Sequence, residues 1–383
     1  MRKVFSLGVS VVALGMLSAS QMSCSDSDNK ITDGTAAKVE SIPNPLIAVA
    51  AVAADYSAAN FEIVSGDYTV TKNLYPGLST DLVVRTRGNY AYILERLGSD
   101  KVIKTYSKEK VDGAVRVEYE TVLGPGLNIQ DIAFVSDTKA YISSHETSDL
   151  IVFNPTTGKT TSTVSLARFN TFAGTADAEA SPYASSLAVY GNYVYVACQR
   201  LKNFSPADTS LIAVVDWRAD TVFTSIKLNR RNPSSLDVFG SRLLVSSSGD
   251  YYDPEVSGGV EEIDLTSNTN LGVRVEESAF GGSLSALVSV SLDKAYISVM
   301  GDDWNTNIVP FNPMTGTAGA KIAGIVDGFG GMAYDGTKLK LYVGERGFGA
   351  ATGVLVINPN TDAVERTVAT GMPPSSIAVI FGD

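Results

Sequence analysis

Three stretches of this chain gather the side chains best suited to gripping another molecule. Ser248–Gly258 (SGDYYDPEVSG) carries Asp250, Tyr251, Tyr252 and Asp253, and Gly301–Asn307 (GDDWNTN) carries Asp302, Asp303 and Trp304. Arg200–Ser210 (RLKNFSPADTS) has the length and polarity of an insertion. Arg230 and Arg231 stand side by side, and Glu345-Arg346 precedes Gly347 and Phe348. Ring faces beside carboxylates and guanidinium groups suit a sugar, a peptide or a protein surface. The same residue types also build turns, because Asp and Asn bond their own backbone, so each one taken singly is equally well explained as loop structure.

Catalytic and metal chemistry finds less material. Asp303-x-Asn305-x-Asn307 has the spacing that opens a calcium loop, but Ile308 stands where such a loop needs Gly and Met314 where it needs Glu. That excludes an EF-hand and leaves Ca²⁺ in some other geometry as the one cofactor the spacing allows. The chain has one histidine and two cysteines, and neither CxxC nor HExxH occurs. His145 (SSHETSD, beside Glu146) could act as a general base only with a substrate proton within hydrogen-bond reach. Cys198 follows Val194-Tyr195-Val196-Ala197 and reads as an inert thiol in a buried strand. No catalytic residue and no resident cofactor is expected.

The elements that position these loops repeat. Asp149–Leu166 (DLIVFNPTTGKTTSTVSL) is an apolar run, an Asn-Pro-x-Thr-Gly turn and a Thr/Val-rich run, which together make a β-hairpin. The turn returns as FNPMTG at Phe311–Gly316 and INPNTD at Ile357–Asp362, and more loosely as VDWRAD at Val215–Asp220 and IDLTSN at Ile263–Asn268. Ahead of each hairpin lies a strand that is Tyr-centred in every copy but the fourth, where Leu244 takes the position: NYAYILE from Asn89, TKAYISS from Thr138, NYVYVAC from Asn192, SRLLVSS from Ser241, DKAYISV from Asp293 and LKLYVGE from Leu339. A period of about 45 to 54 residues fits propeller blades, and helix-period patterns are essentially absent.

Six copies can be counted whole, at 79–126, 127–180, 181–229, 230–280, 281–326 and 327–370. The C-terminus then offers one strand, Ser376–Phe381, and the N-terminus three, Leu46–Ala53, Phe61–Val64 and Tyr68–Leu74. One plus three predicts a seventh blade that closes the ring and leaves no open sheet edge. The expected fold is therefore all-β, a seven-bladed propeller of four-stranded blades, with six blades and frayed ends as the alternative. Small residues at the inner-strand starts (Ala184-Ser185-Ser186, Pro233-Ser234-Ser235, Ser283-Leu284-Ser285, Pro374-Ser375-Ser376) point to a structural channel along the axis.

The strand (V/A/L)-Y-(I/V) followed by (D/N)-P-x-T-G resembles the YVTN-type β-propellers, including the surface-layer and YncE-like proteins, over about Ile47 to Ile380. The resemblance implies the fold and leaves activity open, because that superfamily hosts many unrelated functions. It makes a non-catalytic binding or scaffolding module the favoured reading. The alternative is a propeller enzyme, a lactonase or quinoprotein-like dehydrogenase, with a central site drawn from Asp131, Asp237, Arg230 and Glu345.

The N-terminus reads as an export signal. Met1-Arg2-Lys3 and the apolar run Phe5–Leu17 form a signal peptide over 1–23. Cys24, after Ser23, resembles the lipid-attachment cysteine of bacterial lipoproteins. Residues 24–45, acidic and Pro-broken, read as a flexible tether, and 46–383 as a single propeller domain. The expected location is the cell envelope. There the chain would be an outer-membrane lipoprotein, periplasmic or surface-facing, touching the membrane through the anchor only. Ordinary cleavage to a soluble periplasmic or secreted protein is the alternative. A net charge of −11 with no Lys/Arg cluster beyond Arg230-Arg231 argues against nucleic acid. The partners expected are an envelope protein, a polysaccharide or a peptide, bound by a monomer.

Overall fold

The Asn-Pro-x-Thr-Gly turn shows how the chain folds locally. Asn154 Oδ1 accepts hydrogen bonds from the amides of Thr156 (2.9 Å) and Thr157 (3.1 Å), and Gly158 closes the turn by donating to Asn154 O at 2.8 Å. Gly158 sits at φ +70°, a left-handed backbone that glycine adopts without cost. Asn312 and Gly316 repeat the arrangement in FNPMTG.

A computed structural model describes residues 37–253, 255–347 and 352–382, so Phe348, Cys24, the expected signal peptide and most of the expected tether lie outside the described residues. Lys38–Asp383 form one compact unit. It contains seven four-stranded antiparallel blades and, among the described residues, no α-helix. Blades 1 to 6 begin with inner strands at Leu82–Arg87, Ile129–Ser136, Ala184–Tyr190, Pro233–Phe239, Ser283–Ser291 and Met332–Asp335. Blade 7 is Pro374–Val379 followed by Pro45–Val52, Ala59–Ser65 and Val70–Thr71. Its closing register places Ile377 opposite Val49 and Val379 opposite Ile47, as the count of leftover strands predicted.

The core is a set of layers, one between each pair of neighbouring blades. Tyr141, Leu150 and Val152 of blade 2 pack on Leu187, Val194 and Ala213 of blade 3; at the closure, Tyr342, Val354 and Val356 of blade 6 pack on Ile47, Val49 and Ile377 of blade 7. Successive side chains on a strand therefore face different layers, and the middle strands are apolar on both sides.

The repeated tyrosine joins one blade to the next. Tyr141 hydroxyl donates to Asp220 in the outer turn of blade 3, and Lys139 Nζ pairs with the same carboxylate at 2.8 Å. Tyr296 and Lys294 of blade 5 treat Asp362 of blade 6 identically, and Tyr195 reaches Asn268 at 2.7 Å. The Tyr strand and the Asx turn are thus two halves of one inter-blade joint.

One expectation needs correction. The stretch read as a flexible tether ends earlier than Pro45, because Val39–Ser41 is a strand that pairs with Glu109–Val111 in blade 1. Pairing with the overlong third strand Lys101–Val111 satisfies its backbone, and Ile42 is buried beneath it. So short and polar a strand carries no alternation to reveal it.

If the closing strand carries the ring, Ile377→Ala should destabilise the protein by about 2–5 kcal/mol, the usual cost of truncating a buried aliphatic side chain. Chemical unfolding followed by far-UV circular dichroism measures this, and loss of only a few tenths of a kcal/mol would show the closure to be dispensable.

Candidate binding face

In each blade the loop between the second and third strands and the crossover to the next inner strand emerge on the same face. The turn between the third and fourth strands lies on the opposite one. The first face carries the stretches singled out from sequence. It brings some of those residues together and separates others.

Tyr251 and Tyr252 of blade 4 meet Trp304 of blade 5. The Tyr251 ring centroid lies 5.1 Å from that of Trp304 and 5.3 Å from that of Tyr252. All three are exposed, Tyr252 by 85% and Trp304 by 62%. Asp250 and Asp253 accept bonds from the amides of Tyr252 and Glu255, and Asp303 accepts from Asn305 N at 3.1 Å and Nδ2 at 3.0 Å. The Asp-x-Asn spacing is therefore used to shape a turn, while Asn307 continues into the strand Thr306–Asn312. Asp302 lies in the same loop, beside Asp303.

Arg346 joins a different group. Its guanidinium lies 4.7 Å from the Phe329 centroid and 5.6 Å from that of Tyr56, and it donates to the Tyr56 hydroxyl at 2.8 Å. Arg230 turns away to a forked ion pair with Glu276, where Nη2 reaches Oε1 at 2.6 Å. Arg231 lines a hollow of about 270 Å³ with Asp253 and Glu255.

Sequence reasoning missed Tyr56 and Phe329 and did not single out Phe204, although Phe204 lies in the flagged insertion. A signal existed for Phe204: Asn203-Phe204 occupies a two-residue hairpin turn between Leu201–Lys202 and Ser205–Pro206, where Asn-Gly is the usual pair. Tyr56, Phe204 and Trp304, at loop tips of blades 7, 3 and 5, have φ of 58°, 62° and 63°. A left-handed backbone costs a residue other than glycine about 1–2 kcal/mol. All three side chains stay largely exposed, so burial does not offset that cost.

The axis is a cavity of about 840 Å³ reached by all seven inner strands. Its polar groups mostly bind neighbouring blades. Ser376 Oγ accepts Val84 N (3.1 Å), Asp131 Oδ2 accepts Leu187 N (3.0 Å), Ser186 Oγ accepts Leu236 N (3.1 Å) and Ser235 Oγ accepts Leu287 N (3.2 Å). Each hydroxyl or carboxylate satisfies an amide on the inner strand of the next blade, an edge with no further strand to pair with. Asp131 also pairs with Arg85 Nε at 2.8 Å. Asp237 Oδ2 accepts Ser289 N at 2.6 Å, and burial pushes its carboxyl up to about 6. Glu345 lies off the axis, where it accepts the amides of Val326, Asp327 and Gly347 and holds the crossover into blade 6. The four residues named for a central site are thus divided among separate structural bonds. Among the described residues, no three His, Cys, Asp or Glu side chains come close enough together to hold a metal ion.

His145 lies under the loop face, its ring 5.8 Å from that of Tyr183, which in turn meets Phe204. Burial, reinforced by the nearby Arg96 charge, lowers it to about 4, so it is neutral at physiological pH. Cys198 is fully buried, and burial pushes its thiol up to about 12.

Comparison with known proteins agrees with this architecture. The LVIVD repeat matches residues 182–201, the inner and second strands of blade 3. The chain is a repeat-built β-propeller. No curated protein sequence matches it. Among solved structures it is similar to hydrazine synthase of Kuenenia stuttgartiensis, with a TM-score of 0.58 and 16% identity over 79% of this chain and 89% of that one. It is also similar to apo AztD of Citrobacter koseri, with a TM-score of 0.51 and 11% identity over 88% of this chain and 98% of that one. At such identities the likeness is one of fold alone.

Asp237 offers a check on the channel. Its folded pKa is raised, so the ionised form costs stability, and that cost sets in as pH climbs from about 4 through 6. Asp237→Asn keeps an acceptor for Ser289 N and removes the buried charge. The variant should melt at a higher temperature than wild type at pH 7, with the gap closing near pH 4. An Asp237→Asn protein less stable at pH 7 would mean that the carboxylate is needed in its charged form.

Proposed function

We propose that this chain is an exported, lipid-anchored binding module of the YVTN type, which holds a partner protein or envelope polymer on the face of its second-to-third-strand loops. The observation that carries the reading is the contrast between axis and rim. Polar side chains at the axis are spent on bonds between blades, whereas Tyr56, Phe204, Tyr252, Trp304 and Phe329 leave large ring surfaces in water on one face. Exposed, clustered aromatics are costly to keep and mark contact surfaces.

Lys38 N donates to Asp112 Oδ1 at 2.8 Å, in the outer turn of blade 1, on the face opposite the rings. The sequence from Met1 to Cys24 supports export and lipidation of that cysteine.

Two measurements test the proposal. A photo-crosslinking residue at Tyr252 should capture a reproducible species in intact cells, and one at Leu339 on the opposite face should not. Equal capture from both faces would overturn the assignment of the face. Cys24→Ser should move the protein from the membrane fraction to the soluble fraction, and the mature wild-type N-terminus should carry acyl mass. An unmodified Cys24 would end the anchoring proposal.

A further inference from the structure

The rim contains two aromatic groups that differ in one respect. At blades 6 and 7 the rings of Phe329 and Tyr56 already hold a guanidinium, that of Arg346, with a hydrogen bond from it to the Tyr56 hydroxyl. At blades 4 and 5, Tyr251, Tyr252 and Trp304 form an equally exposed group. Among the described residues, the side chains that stack a cation on a ring do so elsewhere, on Tyr90, Tyr106, Phe169 and others. Among the described residues, the second group has rings without a cation.

It also has the opposite charge in place. Asp250, Asp253 and Glu255 share one loop with the tyrosines, and Asp302 and Asp303 share the other with Trp304. Against these five carboxylates stand Arg230 and Arg231, which line one hollow with Asp253 and Glu255 and of which Arg230 is paired with Glu276, and Lys321, close enough to act on Asp303. Bonds from Asn305 hold Asp303 below the usual carboxylate range, so it stays charged.

We infer that the Tyr251–Tyr252–Trp304 patch receives a lysine or arginine side chain presented by a basic segment of a partner protein. The ring faces would stack the cation and the flanking carboxylates would pair with it, as both interactions require. A neutral glycan would gain the stacking but leave the negative charge unanswered, and an anionic polymer would be repelled by it. This inference rests on the reading of the protein as a binding module and adds the chemistry of what is bound.

The test uses a peptide alternating arginine and glycine as probe. The chain has two tryptophans, so Trp217→Phe leaves Trp304 as the only reporter. Calorimetry on the unaltered chain gives the same answer should Trp217→Phe fail to fold. The peptide should produce a saturable change in Trp304 emission. Binding should weaken about tenfold in the double variant Asp302→Asn, Asp303→Asn, and again when salt is raised, because the pair is solvent-exposed. A citrulline–glycine peptide and a chitin oligomer should give no saturable change. Equal affinity of the charge-neutralised variant, no saturation with the arginine peptide, or a response to the chitin oligomer in its place would each overturn the inference. If the peptide fails while crosslinking through Tyr252 persists, only the cation reading falls. If both fail, the binding face falls with it.

Discussion

A four-stranded sheet that is apolar on both faces is unstable anywhere except between two others like it. That constraint organises the whole chain. Each layer between blades needs a neighbour on either side, so a row of blades would expose an apolar face at each end. Closing the row into a ring removes both ends at once. The pairing of Pro374–Val379 with Pro45–Val52 performs the closure, joining residues from the two ends of the described chain through backbone hydrogen bonds. The layers then supply most of the stabilisation, and tyrosine-to-turn joints tie blade 2 to blade 3, blade 3 to blade 4 and blade 5 to blade 6.

Polar groups inside such a ring must find partners within it. The inner strands run beside the axis with one edge unpaired, and serine or aspartate from the neighbouring blade accepts their free amides. Buried glutamates do the same work at the crossovers: Glu345 holds the entrance to blade 6, and Glu261 accepts the amides of Asn229 and Arg230 before blade 4. These bonds tie the channel and its rim to the neighbouring blades. The loops above them are then free to carry strained, exposed rings, because a local cost of about 1–2 kcal/mol at a loop tip does not propagate into the layers.

How much was readable beforehand depended on distance along the chain. The hairpin of Asp149–Leu166 was legible because its turn is made by residues a few positions apart, Asn154 with Thr156, Thr157 and Gly158. The count of seven was legible because each blade repeats that local signal and the leftover strands add up to one more. The strand Val39–Ser41 was not, since nothing in three polar-flanked residues tells a strand from a tether until a partner edge is present. Asp131, Asp237 and Glu345 were legible as carboxylates near the inner strands, but not as structural bonds, because their partners lie on other strands or on the next blade.

The candidate site divides in the same way. Composition alone marked the loops of Tyr251, Tyr252 and Trp304, with their aspartates, as able to grip a ligand. That the two loops share one aromatic group, that Arg346 is taken by Tyr56 and Phe329, and that Arg230 is lost to Glu276 followed only from the stacking of adjacent blades. The amino-acid sequence by itself determined the repeat, the all-β class and the acidity, because these arise from neighbours in the chain and from sums over it. The tertiary structure decided which side chains meet, because ring closure and blade rotation set distances that no local spacing encodes.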